Sequence, residues 1–92
     1  MKINVRIFGE LVPILGRRYN FELDKGDTIS ILSGKIAKNI GMKRQGYLGK
    51  YRIIGDDLAI LVNGMNIDLL DGEKTILQDG DEVVILSPAV GG

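Results

Sequence analysis

Asp27-Thr28-Ile29-Ser30-Ile31-Leu32-Ser33-Gly34-Lys35-Ile36-Ala37-Lys38-Asn39-Ile40-Gly41 is the one convincing helix in the chain, and it decides the fold class. Ile29, Leu32, Ile36 and Ile40 recur at spacings of three, four and four, which places them on one face of an α-helix. A side-chain oxygen of Asp27 or Thr28 can accept a free N–H of the first turn. Lys35 and Lys38 lie off the apolar stripe, in the half of the helix where basic groups suit its dipole. Gly41 is a natural stop. One amphipathic helix among strand-like segments has to cover one face of a sheet.

The segments around it have a different period. In Lys2–Phe8, Ile3, Val5 and Ile7 point one way and Asn4, Arg6 and Phe8 the other, as in a half-buried strand. Gly9 to Arg17, with Pro13 and Gly16, reads as a connecting loop. Tyr19, Phe21 and Leu23 alternate with Asn20 and Glu22, and Asp24-Lys25-Gly26-Asp27 supplies a turn. Leu58–Val62 is a continuous apolar strand, followed by the hairpin pair Asn63-Gly64 and a short return over Met65 to Ile67. Asp71-Gly72 and Asp79-Gly80 mark turns. In the last strand, Glu82–Leu86, Val83 and Ile85 face one side, and Glu82, Val84 and Leu86 the other. The order is strand, strand, helix, strand, short strand, strand. It predicts an α+β roll, a mixed sheet of four to five strands with one main helix on one face. Residues 1–86 are expected to form a single domain and residues 87–92 a flexible tail.

Met42 to Asp57 is less regular. Gly46, Gly49 and Gly55 suggest a loop, although Arg52-Ile53-Ile54 has the composition of a short strand. Tyr47 and Tyr51 stand among Lys43, Arg44, Lys50 and Arg52, a mixture that can stack and neutralise single-stranded RNA. Two tyrosines are too few to make nucleic acid the expected partner.

Composition excludes several function classes. Ninety-two residues support one core. Formal net charge is zero, so nothing global draws the chain to nucleic acid or to a membrane surface. Residues 28–55 carry six basic groups and no acid, whereas residues 56–82 carry eight acids against Lys74. Such a dipolar surface can orient a partner, or it is two solvated faces. No apolar run approaches the ~18 residues of a membrane span, and no signal peptide is visible. With no Cys there is no disulfide framework or thiolate metal site, which fits a cytoplasmic setting. With no His either, the chain lacks both a thiolate nucleophile and a neutral-pH proton shuttle. No nucleophile–base pair, metal cluster or P-loop spacing appears, so an autonomous enzyme is not expected. Asp79 and Asp81 read as turn residues rather than as a metal site.

Reactive chemistry is therefore expected at the other end of the last strand. Ser87-Pro88-Ala89-Val90-Gly91-Gly92 brings a short tail to a terminal carboxylate, which is ionised at neutral pH. Fully extended, these residues reach about 20 Å. Gly91 and Gly92 carry no Cβ and can pass a narrow channel, while Pro88 limits freedom at the root of the tail. The tail backbone can also pair with a partner's sheet edge.

The element order and this ending resemble the β-grasp, ubiquitin-like fold. The resemblance narrows over Ile60-Leu61-Val62-Asn63-Gly64-Met65-Asn66-Ile67, then Leu77-x-Asp79-Gly80-Asp81-Glu82-Val83, then Pro88 and Gly91-Gly92. Together with Val5-Arg6-Ile7-Phe8-Gly9-Glu10-Leu11 and Gly16, these stretches are similar to the MoaD family, the small subunit of molybdopterin synthase. ThiS carriers share the Gln78-Asp79-Gly80-Asp81 turn and the ending, and ubiquitin-related and small archaeal modifiers are further near relatives. MoaD chains commonly end Pro-Pro-Val-x-Gly-Gly, and here the first of those prolines is replaced by Ser87.

The resemblance implies a sulfur carrier. A ubiquitin-activating-type adenylating enzyme would use its own ATP to turn the Gly92 carboxylate into an acyl-adenylate, which then becomes a thiocarboxylate. Gly91, Val90 and Pro88 would thread the tail into partner sites. Phe8, Val84 and Leu86 would form the partner-binding face, with molybdopterin synthase large subunit as the expected acceptor. The alternatives are a modifier joined through Gly92 to target-protein lysines, or a carrier for thiamin or tRNA thiolation. No permanently bound cofactor, metal or membrane contact is implied. The face is expected to be either exposed or covered by residues 10–15.

Overall fold

The computed structural model describes residues 1–39, 41, 47–48, 51–52 and 57–87. In chain order these include β1 (Lys2–Phe8), a 3-10 turn (Gly9–Leu11), α1 (Val12–Leu15), β2 (Arg18–Glu22) and α2 (Ile29–Asn39). They continue with β3 (Tyr47–Leu48), β4 (Tyr51–Arg52), β5 (Ala59–Val62), β6 (Met65–Asn66), two further 3-10 turns and β7 (Glu82–Leu86). The main sheet runs β2-β1-β7-β5-β6. β1 pairs antiparallel with β2 and parallel with β7, and β7 pairs antiparallel with β5. This is the mixed five-stranded β-grasp sheet with one main helix.

The alternation in each strand explains the layering. Ile3, Val5 and Ile7 of β1, Ile60 and Val62 of β5, and Val83 and Ile85 of β7 point to one side and are buried. α2 covers them with Ile29, Leu32 and Ile36. Ile40, the fourth residue of the expected stripe, lies outside the described residues. Thr28, not Asp27, caps the helix: its Oγ1 accepts from the Ile31 N–H at 3.4 Å. Asp27 instead closes the preceding turn, its carboxylate accepting from the Asp24 N–H at 2.9 Å. Ser33 is buried on the helical face and satisfies its hydroxyl by donating to the Ile29 carbonyl at 2.9 Å.

Three expectations need correction. Gly9 to Arg17 is not a plain loop but a 3-10 turn running into α1, with Pro13 in its first turn and Leu11 fully buried in the core. Proline there forfeits no helical hydrogen bond, because the first N–H groups of a helix have no partner. Within the basic stretch, Tyr47–Leu48 and Tyr51–Arg52 pair antiparallel as a separate two-stranded hairpin. Tyrosine favours extended backbone, and only two residues separate the strands. Ile53 and Ile54 lie outside the described residues. The return after Asn63-Gly64 is also shorter than expected, because Ile67 begins a 3-10 turn whose cap, Asn66 Oδ1, accepts from the Asp68 N–H at 2.9 Å.

Candidate functional site: the outer face of the sheet and the root of the tail

β7 starts in a polar clasp. The Asp81 carboxylate accepts from the Gln78 N–H at 2.8 Å and from Asn63 Nδ2 at 2.9 Å. Asn63 Oδ1 accepts from the Glu82 N–H at 3.0 Å, and Asp79 Oδ1 accepts from the Lys2 N–H at 2.7 Å. Asn63 adopts a left-handed φ of 50° and Gly64 one of 86°, the pair of positive values that a two-residue hairpin turn requires. The Asp79-Gly80-Asp81 carboxylates therefore hold β1, β7 and the β5–β6 turn together. Among the described residues no three potential metal-ligating side chains converge.

β7 ends in different surroundings. Ser87 N–H donates to the Phe8 carbonyl at 3.3 Å, extending the β1–β7 pairing one residue past the strand. Gly9 follows with a φ of 87°, and a Cβ placed on it would collide with Ser87 Oγ. The first residue of the expected tail is thus seated against Gly9, which fixes where the chain leaves the sheet. Pro88, Val90, Gly91 and Gly92, the expected tail and reaction residues, lie outside the described residues.

Phe8, Val84 and Leu86 are brought together on the face away from α2. Phe8 pairs in register with Leu86 and Arg6 with Val84, while Leu86 and Val84 oppose Ala59 and Leu61 of β5. Phe8 is 41% exposed, and Val84 and Leu86 are half-buried. Of the segment after β1, the side chains of Glu10, Ile14 and Leu15 lie outside the described ones. Val12 and Pro13 line one wall of a groove of about 490 Å³ whose other lining residues include Arg6, Phe8, Arg17 and Arg18. The Arg6 guanidinium lies 5.2 Å from the centre of the Phe8 ring, within cation–π range. Its contact with Glu82, at 4.0 Å, is a surface pair of small energetic weight.

Sequence reasoning missed the arginines of this face. β1 and β2 register sets Arg6 directly opposite Arg18, and Arg17 lines the same groove. Arg6 was legible as outward-facing from the alternation of β1. That Arg18 lies beside it depends on the hairpin register, which residues 9–17 disguise.

Comparison with known proteins agrees with this architecture. The ThiS family model matches residues 5–92. Small archaeal modifier protein 3 of Haloferax volcanii is 28% identical over 98 aligned positions, spanning 100% of both chains. The crystal structure of SAMP1 from Haloferax volcanii superposes with a TM-score of 0.80 at 18% identity, covering 100% of each chain, a likeness of fold. The protein–protein complex of subunits 1 and 2 of molybdopterin-converting factor from Helicobacter pylori contains a chain 27% identical, with a TM-score of 0.54 and 100% coverage of both. The chain therefore belongs to the ThiS family, among the ubiquitin-like sulfur carriers and modifiers.

Proposed function

We propose that the chain is a non-catalytic sulfur carrier whose Gly92 carboxylate is the reacting group. A carboxylate oxygen attacks the α-phosphorus of ATP in a ubiquitin-activating-type enzyme, pyrophosphate leaves, and an acyl-adenylate forms. Hydrosulfide supplied by the partner machinery then attacks the acyl carbon. AMP leaves, a proton is released, and the product is a thiocarboxylate. The thiocarboxylate sulfur attacks an electrophilic carbon of the acceptor and displaces its leaving group. Water then cleaves the resulting thioester at the acyl carbon, which leaves the sulfur on the acceptor and regenerates the Gly92 carboxylate. ATP is the partner's substrate, and this chain holds no cofactor of its own. The acceptor in this reading is molybdopterin precursor on the large subunit of molybdopterin synthase, in the cytoplasm. The observation that carries the proposal is the continuity of the face formed by exposed Phe8 and half-buried Leu86 and Val84 with Ser87 at the root of the tail. A partner that grips this face receives a tail of defined origin, with Pro88 and Val90 leading Gly91 and Gly92 inward.

A second reading is favoured by the full-length match to small archaeal modifier protein 3. In it, the ε-amino group of a target lysine attacks the same adenylate, AMP leaves, and an isopeptide bond to Gly92 forms. Thiamin and tRNA thiolation are other destinations for the same thiocarboxylate. The test is the intact mass of protein co-expressed with its adenylating enzyme and a sulfur source. A single oxygen-for-sulfur exchange mapped to Gly92, lost when Gly91 and Gly92 are removed, is the expected result. No exchange, with Gly92–lysine linkages in its place, would transfer the assignment to the modifier.

A further inference from the structure

Two positive side chains directly opposite each other in an antiparallel pair repel, and folding gains nothing from placing them there. Arg6 and Arg18 are such a pair, and Arg17 is a third arginine lining the same groove. Arg17 and Arg18 are exposed. Among the described residues they form no ion pair, and Arg6 has only Glu82 at 4.0 Å. Among the described residues none that lines this groove is acidic, and Glu82 lines the adjoining one with Arg6 and Arg18. Beside the arginines stand Phe8, with Arg6 5.2 Å from its ring centre, and Gly9, against which Ser87 is seated. Three arginines lining one groove with an aromatic ring suit carboxylates offered by a protein surface, because arginine pairs with them through two parallel hydrogen bonds.

We propose that Arg6, Arg17 and Arg18, with Phe8, form a docking platform for an acidic segment of the enzyme that activates the tail. The proposal rests on the carrier reading above and adds the chemistry of the partner. Guanidinium–carboxylate attraction acts before contact, so the platform turns the approaching chain until the tail root faces the partner. Apolar packing of Phe8, Val84 and Leu86 then holds the encounter.

Stopped-flow association of the full chain with the ubiquitin-activating-type enzyme encoded in the same genome tests this, at about 50 and 300 mM salt. Arg17→Glu/Arg18→Glu is compared with Lys35→Glu/Lys38→Glu, an equal change of charge on exposed positions of α2. Thermal melts establish that both fold. The arginine variant is expected to associate at least tenfold more slowly at low salt, with a flattened salt dependence, while the lysine variant stays near wild type. Equal slowing in both variants, or in neither, overturns the platform. If the wild type gains sulfur at Gly92 while the arginine variant associates normally, the platform alone fails. If the wild type neither associates nor gains sulfur, the carrier reading fails and takes the platform with it. A single-stranded RNA oligonucleotide that outcompetes the enzyme, and loses that ability with Arg17→Glu/Arg18→Glu, assigns the platform to nucleic acid and overturns the proposal. Arginine side-chain NMR signals that shift when residues 88–92 are removed assign it to the chain's own tail, which overturns the proposal as well.

Discussion

The two ends of β7 solve opposite problems. At Asp81 and Glu82 every described partner is internal: carboxylate and amide side chains from distant segments satisfy backbone N–H groups and one another. At Leu86 and Ser87 the backbone is equally well held, yet the side chains around it, Phe8, Arg17 and Arg18, face outward with little internal satisfaction. The strand is anchored at both ends and has an exposed aromatic ring and arginines beside one of them. Among the described residues Met65 is also exposed near the start of β7. What sets the tail end apart is therefore the grouping of Phe8 with Arg17 and Arg18, while polar stitching holds the end that has no tail to present.

The largest test of this contrast is Gly9→Val. A branched side chain at a left-handed φ, aimed at Ser87, is expected to cost about 3 kcal/mol, read as a drop in urea midpoint. It should also lower thiocarboxylate yield in the fraction that remains folded. A Gly9→Val chain of normal stability would mean that the tail end is only loosely seated. Phe8→Ala should separate the ends next. Loss of a central interface aromatic costs about 2 kcal/mol of binding, roughly thirtyfold in Kd for the activating enzyme, with a much smaller change in stability. Asp81→Ala is its mirror image. Two hydrogen bonds to a carboxylate disappear, and about 1.5 kcal/mol of stability should go with them, a fall in Tm of about 9 °C, while affinity for the partner is retained. The smallest effect is the most diagnostic. Arg18→Glu converts the like-charged pair with Arg6 into an attractive one and should stabilise the fold by about 0.5 kcal/mol while slowing association. A melt that shows Arg18→Glu destabilising would remove the case for an arginine retained at the expense of stability.

Much of the fold was legible because period reveals which side a residue faces. Ile3-Val5-Ile7, Val83-Ile85 and Ile29-Leu32-Ile36 announced the two layers, and the same alternation put Phe8, Val84 and Leu86 together on the outer side. Leu11 was not legible as core, because a 3-10 turn and a four-residue helix are too short to show a period. The clasp was not legible either. Asn63 and Asp81 are 18 residues apart, and each alone is an ordinary turn residue. Arg6 and Arg18 become neighbours only through a register set by the residues between them. The chemistry assigned to Gly92 came from resemblance to a family, since two glycines and a carboxylate carry no mechanism by themselves.

The order of synthesis gives the topology one more consequence. β7 lies between β1 and β5, so the middle of the sheet is made after both of its neighbours. A nascent chain that stops short of β7 leaves an N-terminal hairpin and a later hairpin with no strand to join them. Closing β1 onto β7 ties together residues as far apart as Asn4 and Glu82, a non-local step that waits for β7 to be made. A chain truncated before β7 is therefore expected to leave Ile3, Val5 and Ile7 without their central partner strand and to be cut by proteases that spare the full chain.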